Sequence, residues 1–132
     1  MKMIFRYDKI SLSYNERLNK MDCLFCKIIN GDIPSKKVYE DDLCYAFFDI
    51  APQAKTHCLV IPKEHISSAN DVTADNASVV AHIFSVIPKI AEGLELGEGY
   101  RIVTNIGENG CQSVKHLHFH ILGGEKLSEK MA

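Results

Sequence analysis

The chain has 132 residues, of which 46% are hydrophobic and 24% charged, with a formal net charge of -2 at pH 7; this size suits a single domain with its own core. The charge argues against broad, sequence-blind nucleic-acid binding, which needs a concentrated positive surface, and no segment approaches the roughly 18 apolar residues of a membrane span. Five cysteines, at 23, 26, 44, 58 and 111, form an odd and irregularly spaced set, unlike a disulfide scaffold, and place the protein in a reducing cytoplasm.

The first twenty residues carry five basic side chains against two acidic ones. Met3-Ile4-Phe5 is far too short an apolar stretch for a secretory signal. Residues 1–21 therefore read as an irregular extension, with Met21 as a second possible start and a docking arm as the other reading. Residues 22–132 form the domain.

Within it, residues 23–30 predict a short helix, broken by Gly31-Asp32-Ile33-Pro34. Val38 to Glu40 and Cys44 to Phe48 predict two strands joined at Asp41-Asp42, and Asp49 to Lys55 a loop containing Pro52. His57 to Ile61 is a third strand, stopped by Pro62. A long helix runs from Thr73 or Ala74 to Glu92. Val79, Val80, Ile83, Phe84, Ile87, Ile90, Ala91 and Leu94 recur on one face of it. Pro88 should kink this helix, and Gly93 and Gly97 should stop it. Tyr100 to Asn105 and His116 to Leu122 are the last strands, joined through the glycine-rich stretch Gly107 to Gly110. Strands interrupted by one substantial helix predict an α+β domain.

His116-Leu117-His118-Phe119-His120-Ile121-Leu122 concentrates three of the six histidines. Strand alternation puts His116, His118 and His120 on one face, roughly 6.6 Å apart in succession, with Leu117, Phe119 and Ile121 facing the core. Imidazole binds metals, and its neutral form attacks electrophiles near neutral pH; spacing does not say which ring does which. Upstream, Gly107 to Ser113 has the glycines and polar side chains of a phosphate cradle, without the Gly-Lys-Ser/Thr ending of a nucleotide-triphosphate loop. Cys23-Leu24-Phe25-Cys26 has the spacing of a thiolate metal knuckle, which a redox dithiol or two unliganded thiols would share. For zinc, His65 and His116 are the best further ligands.

The triad run matches the His-x-His-x-His-x-x motif of the histidine-triad superfamily. Asp49-Ile50-Ala51-Pro52-Gln53-Ala54, Thr56-His57-Cys58-Leu59-Val60-Ile61-Pro62-Lys63 and Gly110-Cys111-Gln112-Ser113-Val114 resemble its nucleotide-binding branch. The likeness covers about residues 22–124. It implies an α+β fold, with an antiparallel sheet, one long helix and a short N-terminal helix, and a symmetric homodimer joining two sheets. It also implies hydrolysis of the P–N bond of purine nucleoside 5′-phosphoramidates, and of aminoacyl-adenylates, through a nucleotidyl-histidine intermediate. Dinucleoside polyphosphate hydrolysis and a non-catalytic purine-nucleotide-binding role are the alternatives.

Carried onto this sequence, the resemblance makes His118 the nucleophile, His120 the histidine facing phosphate, Ser113 a hydrogen-bond partner at the scissile group and His57 a support for the nucleophile. Asp49 would accept both ribose hydroxyls, Asn105 and Gln112 would line the phosphate side, Val114 would be a further nucleotide-binding position, and Leu24, Phe25, Ile28, Ile33, Phe47 and Ile50 would form the nucleoside pocket. Cys23, Cys26, His65 and His116 match a structural zinc site in part of the family, and no metal is required for the chemical step. The expected ligands are purine nucleoside monophosphate derivatives, with neither nucleic acid nor membrane as a partner. The family's best-known eukaryotic members end in tryptophan and proline after the Gly-Gly pair. Gly123-Gly124 is followed here by Glu125-Lys126-Leu127-Ser128, so leaving-group preference is the part of the resemblance in doubt.

Overall fold

The computed structural model describes residues 22–131; the predicted extension at 1–21 lies outside the described residues. The elements run α1 (Leu24–Ile29), β1 (Lys37–Glu40), β2 (Cys44–Phe48), β3 (Thr56–Pro62), a 3₁₀ turn (Ala69–Asp71), α2 (Ala77–Gly93), β4 (Tyr100–Val103) and β5 (Phe119–Gly123). The strands form one antiparallel sheet in the order β1-β2-β3-β5-β4. This is the α+β arrangement expected from the strand and helix patterns.

Strand alternation divides the core in two. Cys44 and Ala46 of β2, Cys58 and Val60 of β3, and Phe119 and Ile121 of β5 pack with Val79, Ile83, Val86, Ile87 and Ile90 of α2. Burying an aliphatic side chain of this size contributes about 1.5–3 kcal/mol. On the opposite face, Tyr45, Phe47, Leu59 and Ile61 pack with Cys23, Phe25, Cys26 and Ile28 from α1 and its cap. The long helix thus holds one face, and the small helix covers part of the other.

Several element ends shift by one or two residues from the sequence expectation, and three differences have a visible cause or consequence. Residues 73–76 close into a hydrogen-bonded turn ahead of α2. Thr73 N–H donates to Asn76 Oδ1 at 2.7 Å and Asp75 N–H donates to Thr73 Oγ1 at 3.2 Å, so the regular helix begins at Ala77. At its other end the left-handed position is taken by Glu95, with φ of 61°, rather than by a glycine. Leu96 N–H reaches back to the Ala91 carbonyl at 2.9 Å, so the helix stops through backbone bonds that Glu95's conformation permits. The helix runs on through Pro88. The third difference concerns the triad: the final strand starts at Phe119, so His116 and His118 precede the ladder instead of forming part of it.

Asp41 fastens the β1–β2 turn to α2. Its Oδ1 accepts the N–H groups of Leu43 and Cys44 at 2.8 and 2.9 Å, while its Oδ2 accepts from Tyr39 Oη at 2.8 Å and from His82 Nε2 at 2.7 Å. Burial opposes ionisation of this carboxyl, but the bonds from His82, Leu43, Tyr39 and Cys44 outweigh it and hold the group well below the usual carboxylate range. A carboxylate depressed in the folded state adds stability above its unfolded pKa of about 3.9 and loses it as pH falls. Asp41→Asn should therefore cost about 1–3 kcal/mol near neutral pH. Denaturant melts from pH 7 downward should show the wild-type advantage shrinking below about pH 4; a constant gap would contradict this account.

Candidate active site and metal cluster

The segment entering β5 carries the first two triad histidines, and backbone carbonyls orient both rings. Leu117 N–H bonds the Ile66 carbonyl at 2.6 Å, and Thr104 Oγ1 donates to the His118 carbonyl at 2.8 Å. His116 is wholly buried and His118 is 2% exposed. The two rings nevertheless serve different neighbourhoods.

His116 Nε2 lies 2.9 Å from the Pro62 carbonyl, an acceptor only, so this nitrogen carries the proton. The bare Nδ1 then faces Cys23 Sγ at 3.3 Å, Cys26 Sγ at 3.6 Å and His65 Nδ1 at 3.2 Å. Cys26 Sγ is 3.3 Å from His65 Nδ1. All four ligand atoms fall within 4.8 Å of one another and can hold a metal ion. Burial pushes His116 down to about 4, against the pull of the Pro62 bond, so the ring is neutral and ligand-ready at pH 7. Cys23 caps α1, and its sulfur accepts the Cys26 N–H at 3.3 Å.

His118 is oriented the other way round. Its Nδ1 donates to the His116 carbonyl at 2.7 Å, leaving the Nε2 lone pair for chemistry. Phe25 packs edge-on against the ring, centroids 5.2 Å apart, and against Phe47 at 5.6 Å. Burial lowers the His118 pKa, opposed by the bond to His116 and by the Asp49 charge.

His120 lies on β5 itself, with its ring centroid 5.0 Å from that of His118. His57 hydrogen-bonds the last histidine, with His57 Nε2 and His120 Nδ1 2.9 Å apart. The register explains this: His57 opposes Leu122, which makes His120 its diagonal neighbour on the same face. The Gln53 N–H donates to His57 Nδ1 at 2.9 Å, so neutral His57 carries its proton on Nε2 and gives it to His120 Nδ1. Neutral His120 is then protonated at Nε2, an N–H donor. Burial pushes His120 down to about 4, with His118 and His57 acting the same way and Asp49 opposing. Burial also lowers His57, again against Asp49. Asp49 Oδ1 accepts the Ala51 N–H at 2.7 Å, and its Oδ2 stands 3.5 Å from His57 Nε2.

The glycine-rich loop is braced from within. Gln112 Oε1 accepts the Gly107 N–H at 3.0 Å, and both of its amide hydrogens go to backbone carbonyls, those of Ser67 and Val114. Those donors shape the loop. Ser113 is exposed and Asn105 half-buried. Of the expected nucleoside-pocket residues, Phe25, Ile28 and Phe47 share the α1-side core with Ile33 packed against it, as Val114 also is, whereas Leu24 is 43% and Ile50 fully exposed. The main contributors that residue types did not reveal are backbone groups: the Gln53 N–H and the Pro62 and His116 carbonyls. A cavity of about 590 Å³ lies away from this face, lined by Glu95, Tyr100, Arg101, Glu125 and Ser128 among others. It holds none of the histidines, and the chemistry lies with the histidine face.

The model of the HIT domain matches residues 30–127. The chain belongs to the histidine-triad family. An uncharacterized HIT-like protein of Synechococcus elongatus is 49% identical over 107 residues, covering 81% of this chain and 94% of that protein. The purine nucleoside phosphoramidase of Escherichia coli K12 is 45% identical over 112 residues, 84% of this chain and 94% of the enzyme. Among solved structures, a histidine triad protein from Clostridium difficile matches with a TM-score of 0.81 and 50% identity, covering 83% of this chain and 96% of that one. The HIT family hydrolase from Clostridium thermocellum matches with a TM-score of 0.82 and 42% identity, over 84% and 97% of the two chains.

Gly110 shows how tightly this histidine-triad loop is folded: a Cβ there would lie 2.4 Å from the Ile106 carbonyl oxygen. Gly110→Ala must therefore displace backbone next to Cys111, which already holds a left-handed φ of 61°. A loss of about 1–3 kcal/mol is expected, read by thermal melting. An unchanged melting temperature would mean that the loop has more room than its contacts indicate.

Proposed function

We propose that this chain hydrolyses the P–N bond of purine nucleoside 5′-phosphoramidates, with His118 as the nucleophile. The observation that carries this reading is the His118 Nδ1 bond to the His116 carbonyl, which fixes the tautomer whose Nε2 can attack. The E. coli relative, a purine nucleoside phosphoramidase by name, supports the substrate class, and aminoacyl-adenylates are read as further substrates.

In the first step, the His118 Nε2 lone pair forms a bond to the α-phosphorus as the P–N bond breaks. The departing amine takes up one proton. In the second, water attacks the nucleotidyl-histidine, the P–N(His) bond breaks, one proton is released and His118 is regenerated. Charge on the phosphoryl oxygens is met by the His120 Nε2–H, the Ser113 hydroxyl, Asn105 and loop N–H groups. Asp49 accepts the ribose hydroxyls, while Phe25, Ile28, Ile33, Phe47, Leu24 and Ile50 take up the nucleoside. Gln112 acts by holding the loop.

The four-ligand cluster suits a structural Zn²⁺. Tetrahedral zinc with bonds of about 2.3 Å to sulfur and 2.0–2.1 Å to nitrogen requires N···S separations of roughly 3.5 Å. Cys23 and Cys26 lie 3.3 and 3.6 Å from His116 Nδ1. When bound, the ion supplies a cross-link among α1, the segment after β3 and the triad segment, with no open position for substrate. A homodimer joined through sheet edges is part of the same reading. A cytoplasmic setting, which would keep the five cysteines as thiols, belongs to the same reading, and no helix among the described residues is long and apolar enough to cross a membrane.

His118→Ala should remove turnover by on the order of 10³-fold or more while nucleotide binding persists. A fluorogenic adenosine phosphoramidate, run beside a diadenosine polyphosphate and an aminoacyl-adenylate, measures this; substantial P–N hydrolysis by the folded variant would overturn the assignment. For the metal, mass spectrometry of protein purified without chelator should find about one zinc per chain. The Cys23→Ala/Cys26→Ala double variant should lose it and melt at lower temperature, with its folded fraction still active. Wild-type protein that stays zinc-free after loading would remove the site.

A further inference from the structure

The proton on His57 Nε2 is bonded to one acceptor and stands near a second, and the two belong to different tasks. His120 Nδ1, at 2.9 Å, belongs to the histidine whose other nitrogen faces the phosphate. Asp49 Oδ2, at 3.5 Å, belongs to the carboxylate assigned to the sugar. His57 cannot serve both by changing tautomer, because its Nδ1 is held as an acceptor by the Gln53 N–H. Asp49 is fastened too, its Oδ1 accepting the Ala51 N–H at 2.7 Å. What varies is the demand that Asp49 Oδ2 makes on the shared proton.

We propose that Asp49 and His57 are positioning residues that make the donor state of His120 depend on the sugar. Sugar hydroxyls donating to Asp49 satisfy Oδ2, and its claim on the His57 Nε2–H falls. The His57–His120 bond is then the sole use of that proton, His120 Nδ1 stays occupied, and the His120 Nε2–H stays directed at phosphorus. Without those hydroxyls the carboxylate competes for the proton. His120 Nδ1 then loses its donor for part of the time, and the ring is free to hold its own proton there instead. Sugar recognition would thus act on turnover as well as on affinity. No covalent change is involved, only the sharing of one hydrogen between two acceptors. The inference rests on the reading of Asp49 as the ribose acceptor.

The experiment compares adenosine and 2′,3′-dideoxyadenosine phosphoramidates with the same leaving amine, on wild type, Asp49→Ala and His57→Phe, resolving kcat from KM. In wild type, removing the hydroxyls should raise KM and also lower kcat by roughly 3- to 10-fold, the effect of one neutral hydrogen bond. In His57→Phe the kcat ratio between substrates should fall to about one while the KM ratio persists, because the link is cut but Asp49 remains. In Asp49→Ala both ratios should approach one. Equal wild-type kcat values with unequal KM would overturn the inference and leave the ribose role standing. Equal KM as well would remove the ribose role itself, and absence of wild-type turnover on either substrate would remove the proposed activity. If His57→Phe does not fold, His57→Gln serves, since its amide can still donate to His120 Nδ1 without the ring's link to Gln53. It should keep more of the wild-type kcat on the ribo substrate than His57→Ala, which leaves His120 Nδ1 without a donor, and an equal loss in the two variants would count against the positioning role.

Discussion

His116 is the residue on which the rest of the site depends, through three separate bonds. One ring nitrogen donates to the Pro62 carbonyl, the other faces two sulfurs and His65, and its backbone carbonyl takes the His118 proton. The same residue therefore docks α1 to the sheet and chooses the tautomer of its neighbour two positions on. A buried imidazole with both nitrogens engaged is costly to replace, since any substitute leaves polar groups unpaired in the core. The cysteine–histidine cluster and the His118 ring are coupled through a carbonyl oxygen.

The sheet makes that coupling possible because its faces are assigned to different work. The α2 face is closed by aliphatic packing from Ile83, Val86, Ile87 and Ile90 against Val60, Phe119 and Ile121. The α1 face is covered in part by the small helix and carries the histidines, of which His57, His116 and His118 are buried and His120 half-buried. Phe25 links the two halves of that face. It packs edge-on to His118 and His116, with centroids 5.2 and 5.9 Å away, and to Phe47. Movement of α1 would therefore reach the reactive ring through a single aromatic contact.

Much of this was legible in the sequence, and the failures share a cause. β2 spans the predicted Cys44–Phe48, because a largely buried run of five residues between a turn and a proline-containing loop has little freedom. The metal-type cluster was legible from the Cys23–Cys26 spacing, which places both sulfurs around one short helix. The start of α2 was not, since Thr73 and Asn76 bond to each other's neighbourhood and withdraw a turn from the regular helix. Nor was its stop: glycines are the usual left-handed residues, but Glu95 takes that conformation. The triad's alternation suggested one strand face, yet His116 and Leu117 bond the carbonyls of Pro62 and Ile66. A pattern of side chains cannot disclose which backbone groups will be their partners, and that same limit hid the link from His57 to His120.

Backbone partners also explain how imidazoles so close together remain useful. His118 and His120 are 5.0 Å apart, and His57 and His120 are 5.1 Å apart, centroid to centroid. Burial lowers the pKa values of His57, His118 and His120, and at His120 the neighbouring His118 and His57 rings act in the same direction. The group is consequently neutral at pH 7, and its directionality comes from the positions of its hydrogens rather than from charge. The His116 carbonyl and the Gln53 N–H set those positions at the two ends. One ring thereby presents a lone pair and the next an N–H, the pairing needed to attack a phosphorus while steadying its oxygens. Asp49 is the fixed charge beside the chain of rings, and it tends to raise the pKa of all three. A ligand that engages this carboxylate changes the field on every ring in the row, and under the proposed assignment of Asp49 to the sugar, recognition of one part of a substrate reaches the chemistry at another through it.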